Sequence, residues 1–201
     1  MVHSINQKSS NRGFTIVELL IALTVFSVIL LITSGVIVEL SRQFYKGTVR
    51  SRTQSVSRNI VDEIANNIQY SSSEPSQLAA TGAIQNWCIA NRLYSYTLGQ
   101  HAPDQTPNAF VRGGDCAVLP SEPLTRSGSD VELLGDNMRI SKLTIESDGT
   151  GKVWYISATV AHGDDDALND PNSENPSCKA DDSNSTYCAV STLSTTVVRK
   201  L

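Results

Sequence analysis

Hydrophobic and polar positions divide the chain into three stretches. Residues 1–13, MVHSINQKSSNRG, are polar, carry Lys8 and Arg12, and show no apolar period. After Phe14-Thr15-Ile16-Val17-Glu18, the twenty residues from Leu19 to Val38 hold no charge. At about 1.5 Å per residue such a helix spans about 30 Å, the thickness of a hydrocarbon core. A secretory signal has a shorter apolar region that ends at a small-residue cleavage site, and no such site follows here. The pattern therefore predicts a membrane-spanning helix that stays on the protein. Beyond Val38 the apolar positions thin out and become periodic: Val49, Val56, Ile60, Ile64 and Ile68 are spaced by seven and four and share one helical face. One helix is predicted from Phe14 to Gln69, on the order of 80 Å long. It stops at the polar run Ser71-Ser72-Ser73-Glu74-Pro75, which ends in a helix breaker.

The remainder reads as a β-rich head. Candidate strands are 87–98, 109–118, 138–147, 152–161 and 187–199. Ile140, Leu143 and Ile145 alternate ahead of Asp148-Gly149, and Val153 to Val160 follow, which predicts a hairpin. The last segment, STLSTTVVRK, has high β propensity and can close the sheet. Residues 99–108 and 119–130 contain His101, Pro103, Pro107, Pro120 and Pro123 and read as surface loops. The expected fold class is α+β: a long N-terminal helix, membrane-spanning in its first half, packed on a C-terminal antiparallel sheet. The expected segments are 1–13, 14–70 (14–40 in the membrane) and 71–201.

Composition sharpens this picture at two points. The formal net charge of −4 gives no basic footprint for nucleic acid. The four cysteines, Cys88, Cys116, Cys178 and Cys188, all lie in the polar head, which points to two disulfides and an oxidising compartment. Of the three possible pairings, Cys88–Cys116 and Cys178–Cys188 each close a local loop. No CxxC pair is present, and no P-loop, GxGxxG, GxSxG or HExxH motif, so nothing joins a nucleophile to a base. His3 lies in the polar start, and His101 and His162 stand singly in loops. An enzyme is the least supported class.

Other features suggest chemistry. A carboxylate at the edge of a membrane helix is costly and functional by default, which singles out Glu18, although the first helical turn also favours an anion. Gly35 is the one glycine in the apolar run. It reads either as a small residue at a helix contact or as a point where the helix can stretch. Asp164, Asp165, Asp166 and Asp170 lie in an acidic loop and could supply oxygen ligands to Ca²⁺, but their spacing fits no EF-hand, and a solvated loop is the better reading. Asn184-Ser185-Thr186 matches a glycosylation sequon, a pattern that is frequent by chance.

The residues Arg12-Gly13-Phe14-Thr15-Ile16-Val17-Glu18-Leu19-Leu20 resemble the processing site of type IV prepilins and secretion pseudopilins. The match consists of a small residue, then Phe, then Glu five positions into the mature chain, then the apolar run. The resemblance covers residues 8–40. It implies cleavage after Gly13 by a membrane prepilin peptidase, N-methylation of the new Phe14 amine, and a pilin-like fold. It also implies assembly with other pilin subunits on a platform in the inner membrane. Glu18 corresponds to the family's acidic residue, which meets the amine of a neighbouring subunit. At about 4 Å and an effective dielectric near 20 that attraction is about 4 kcal/mol before desolvation. Glu18 also lies four residues from Phe14 and could approach its own amine. Gly35 falls where many major pilins carry a helix-breaking proline. Some pseudopilins bind calcium in the region of the acidic loop, and a disulfide-bounded C-terminal loop like that closed by Cys178–Cys188 is common in pilins.

The segment from Arg50 to Ile68, with the stretch from Trp87 to Tyr96, resembles minor pilins and J-type pseudopilins, which implies a tip or priming role. The flanking charges lean the other way on topology. Lys8 and Arg12 precede the span, whereas Arg42, Lys46, Arg50 and Arg52 follow it. The cysteines and the processing motif both imply the N-terminus inside and the head outside the cytoplasm, first on the membrane and then in an extracellular filament. Two alternatives stand beside a structural subunit. A filament-displayed adhesin or DNA receptor is one, but removing residues 1–13 takes the charge from −4 to −6, which disfavours DNA despite Arg92, Arg112 and Arg126. A bitopic membrane protein that is never cleaved is the other.

Overall fold

The computed structural model describes residues 13–102, 108–180 and 186–200. The chain forms two compact units, 1–42 and 43–201. One helix, α1 (Ile16–Gln69), runs through both. Among the described residues the strands lie in the second unit: β1 (Ser76–Thr81), β2 (Ile84–Ile89), β3 (Arg92–Thr97), β4 (Phe110–Gly113), β5 (Val131–Glu132), β6 (Met138–Ser147), β7 (Val153–His162), β8 (Leu168–Asn169), β9 (Ser177–Cys178) and β10 (Ala189–Val198).

In the first unit every described side chain from Gly13 to Arg42 is exposed. The helix there is long and apolar enough to cross a membrane. Thr24, Ser27 and Thr33 pair their hydroxyls within the helix. Thr24 donates to the Ile21 carbonyl at 2.8 Å, Ser27 to Leu23 at 2.6 Å and Thr33 to Ile29 at 2.9 Å. An apolar surrounding tolerates hydroxyls paired in this way.

In the second unit the remainder of α1 packs on antiparallel sheets, which gives the α+β fold. Ile60, Val61, Ile64 and Ile68 join one core with Trp87, Tyr94, Phe110, Ile140, Ile156, Val160 and Val197. Phe110 meets Tyr96 edge-on at 5.5 Å. Val49 and Val56 are only half buried, whereas Thr53 and Ser57 are fully buried on the same face. Thr53 bonds its own helix at Val49, and Ser57 donates to the Ser191 carbonyl of β10. Both hydroxyls are therefore paired although buried. The helix ends where the Lys200 N–H takes the Gln69 carbonyl at 2.9 Å.

The strands form three sheets, ordered β1-β2-β3-β4-β5, β10-β7-β6 and β8-β9. β6 and β7 form the hairpin expected around Asp148-Gly149. Its loop takes five residues rather than two, with the Asp148 carboxylate accepting from the Thr150 N–H at 2.9 Å. β7 and β10 pair over ten consecutive positions without a shift. The stretch read as one strand, 87–98, is instead two strands of a hairpin. Ala90 (φ 53°) and Asn91 (φ 57°) make the turn, and β1, missed in the sequence, adds to it through Gly82-Ala83. The expected strand 109–118 stops at Gly113, because the chain then leaves the sheet for the Cys88–Cys116 bridge. A second bridge joins Cys178 to Cys188.

Three charged groups fix these layers. Glu63 of α1 receives Arg112 of β4 at 2.9 Å and the Tyr94 hydroxyl at 3.0 Å, and Asn67 donates to that hydroxyl at 2.7 Å. Burial, then the Glu63 charge, pushes the Tyr94 phenol far above its usual range. Arg112 is thereby committed to Glu63 and is no free cation for DNA. The Glu132 carboxylate accepts three backbone N–H groups, from Ala109, Phe110 and Leu134, yet burial raises its pKa.

Candidate functional site: the N-terminal turn and the distal loop

The helix begins two residues later than the apolar pattern, and its start is a capping box. Thr15 immediately precedes Ile16. Its backbone N–H donates to Glu18 Oε2 at 3.1 Å, and its hydroxyl lies 3.0 Å from the same oxygen. In return the Glu18 N–H donates to Thr15 Oγ1 at 3.2 Å. The Leu19 N–H closes the first turn on the Thr15 carbonyl at 3.2 Å. Thr at the cap and Glu three residues on satisfy two otherwise orphaned donors, and the carboxylate sits where the helix dipole favours it. Glu18 stands out in the sequence. Thr15 does not, although the Thr-x-x-Glu spacing is itself a helix-start signal.

This contact is a third arrangement beside the two that the sequence leaves open for Glu18. Both Thr15 contacts fall on Oε2, and among the described residues Oε1 takes none. Gly13 and Phe14 lie outside the helix, and Phe14 is 80 % exposed. At Gly35 the helix runs unbroken, and a Cβ added there would meet nothing within 4 Å.

The distal loop is organised by a buried arginine. Arg139 of β6 is 1 % exposed; it donates to the Gly163 carbonyl at 2.9 Å and to Asp165 at 2.6 Å. That bond holds the Asp165 carboxyl below its ordinary range. Asp164 accepts from Asn137 at 3.0 Å, and Asp170 sits at a turn with φ 48°. Asp164 and Asp165 are thus engaged by other side chains. No group of three or more His, Cys, Asp or Glu among the described residues is placed to hold a metal. His101 bridges Arg139 across the sheet edge, and His162 Nδ1 donates to the Tyr187 carbonyl at 2.9 Å, so neither histidine is the isolated loop residue expected. Lys8, Arg12, Pro103, Pro107, Asn184 and Ser185 lie outside the described residues.

Taken together, these features define a class: an α+β chain with a membrane-competent N-terminal helix, a capped acidic first turn and two disulfides in its β head. Residues 8–34 match the family described as the prokaryotic N-terminal methylation motif, which supports membership of the type IV prepilin and pseudopilin family. No curated protein and no solved structure matches the chain.

Proposed function

We propose that this chain is a structural subunit, of the minor or initiating kind, in a type IV pilus or a related filament. The carrying observation is the methylation motif at residues 8–34 running directly into a helix long and apolar enough to cross a membrane. In this reading the leader 1–13 is removed after Gly13 by a prepilin peptidase, and Phe14 is N-methylated. Residues 14–70 form the anchoring and assembly helix and 71–201 the head. The subunit waits in the inner membrane with its head outside the cytoplasm, then packs against other subunits on the assembly platform. Glu18 Oε1 is open to an ammonium, which supports the assembly role given to Glu18. Gly35 has no side chain of its own to hold the helix in one conformation, which supports a soft point there. The role is structural and needs no cofactor.

Mass spectrometry of the N-terminus in the native host tests this. A methylated Phe14 start is the expected result, and an intact N-terminus that keeps residues 1–13 would falsify the proposal. Thiol alkylation in intact cells tests the topology: four unreactive cysteines are expected, and four reactive ones would reverse the orientation.

A further inference from the structure

An apolar opening of the head lies away from α1, on the outer side of the five-stranded sheet. The segment 114–130 crosses that face and leaves a cleft of about 490 Å³, within the range of about 300–1,000 Å³ usual for ligand sites. Its floor is apolar: Leu93, Val111 and Leu124 are each at most 6 % exposed. Val118 stands at the mouth, 70 % exposed. The walls are fixed before anything binds. The Cys88–Cys116 disulfide fastens one to β2, and the Asn108 N–H takes the Leu124 carbonyl at 2.8 Å to fasten the other.

The cleft's charge is one-sided. Among the described residues Asp115 and Asp130 are the only ionisable ones that line it, and neither has an ion-pair partner there. Asp115 Oδ1 accepts from Ala117 N–H and Asp130 Oδ2 from Ser127 N–H, both at 3.1 Å, so each carboxylate is oriented by its own turn. Asp130 Oδ1 lies against Gly113, where an added Cβ would stand only 1.9 Å away. Gly114 (φ 67°) and Gly128 (φ 56°) have open space where a side chain would be, so backbone borders the cleft at those two points.

An anion would be repelled here, and a purely apolar guest would desolvate two carboxylates without compensation. A long aliphatic stem ending in a cation satisfies both the floor and the walls, because lysine and arginine bury their methylenes while keeping the charge at a polar edge. The space exceeds one side chain, which leaves room for the flanking backbone at the glycine borders. We propose that this cleft binds a lysine or arginine side chain carried on an extended segment of a partner protein.

The test uses the full chain in detergent micelles, titrated with blocked Gly-Lys-Gly and with blocked Gly-norleucine-Gly, whose side chain is apolar and uncharged. Amide chemical shifts are followed. The lysine peptide is expected to shift residues 111–130 saturably and to bind at least about tenfold tighter than the norleucine peptide, equivalent to about 1.4 kcal/mol. The double variant Asp115→Asn, Asp130→Asn keeps the turn acceptors and is expected to abolish that preference. Val118→Lys, at an exposed position, places a cation at the mouth and is expected to weaken lysine-peptide binding with an unchanged melting temperature. Equal response to both peptides, no shift with either, or a preference that survives the double variant overturns the proposal.

Discussion

The two halves of α1 share one backbone conformation and nothing else. From Leu19 to Val38 the side chains are uncharged, mostly apolar and exposed on every face. From Thr53 to Ile68 one stripe is buried and the others are polar. The first half is specified by what surrounds it, since a helix that is apolar all round needs a lipid or protein environment. The second half is specified by particular partners: Ile64 in the core, Ser57 on Ser191, and Glu63 on Arg112 and Tyr94. Helical character therefore says little about where the information lies, and burial says most of it.

Substitutions can break or sharpen that contrast. The largest effect is expected from Ile64→Ala, which removes a fully buried side chain and costs the head about 2–5 kcal/mol, read from thermal or denaturant unfolding of the full chain in micelles. Ile29→Ala, an equal truncation in the first half, is expected to leave the head's unfolding unchanged; a comparable loss would erase the distinction. Thr15→Ala removes the cap and is expected to cost the first turn about 0.5–2 kcal/mol, seen as faster amide exchange at Glu18 and Leu19 without a shift in head stability. The smallest effect concerns pH. Arg139 lowers the Asp165 carboxyl below its ordinary 3.8, so that contact contributes fully above the unfolded value and is lost as the pH falls through the folded one. Shifts of the Gly163 and Asp165 amides are expected only below about pH 4, and Asp165→Asn should remove that step.

The elements legible in the sequence were those with long, regular patterns. α1 and the β6–β7 hairpin follow from apolar spacing and from Asp148-Gly149. The β2–β3 hairpin was hidden because its turn uses Ala90, a residue that rarely takes a positive φ, so the apolar stretch across it read as one strand. Buried Thr53 and Ser57 were hidden for another reason, since a hydroxyl looks the same in sequence whether solvated or packed on a strand. Arg139 and Glu132 are charged groups whose burial depends on carbonyls and amides brought close only by the fold. In the candidate site Glu18 was legible by its position in an apolar run, whereas Thr15 carried its signal in a spacing that is easy to overlook beside the carboxylate. The cleft over β3 and β4 left no trace in any local pattern, because its floor and walls come from β3, β4 and the segment 114–130, which only the fold brings together.

The late start of the helix has a consequence for proteolysis. A protease holds its substrate backbone in an extended form, and a peptide bond inside a helix has its amide and carbonyl already engaged. The capping box ends helical structure at Thr15, so the Gly13–Phe14 bond lies outside the coil yet only two residues from a rigid, membrane-competent rod. Under the proposed processing, Thr15 and Glu18 act before assembly begins: they stop the helix from winding back over the bond to be cut, and they hold that bond at a fixed distance from the apolar span.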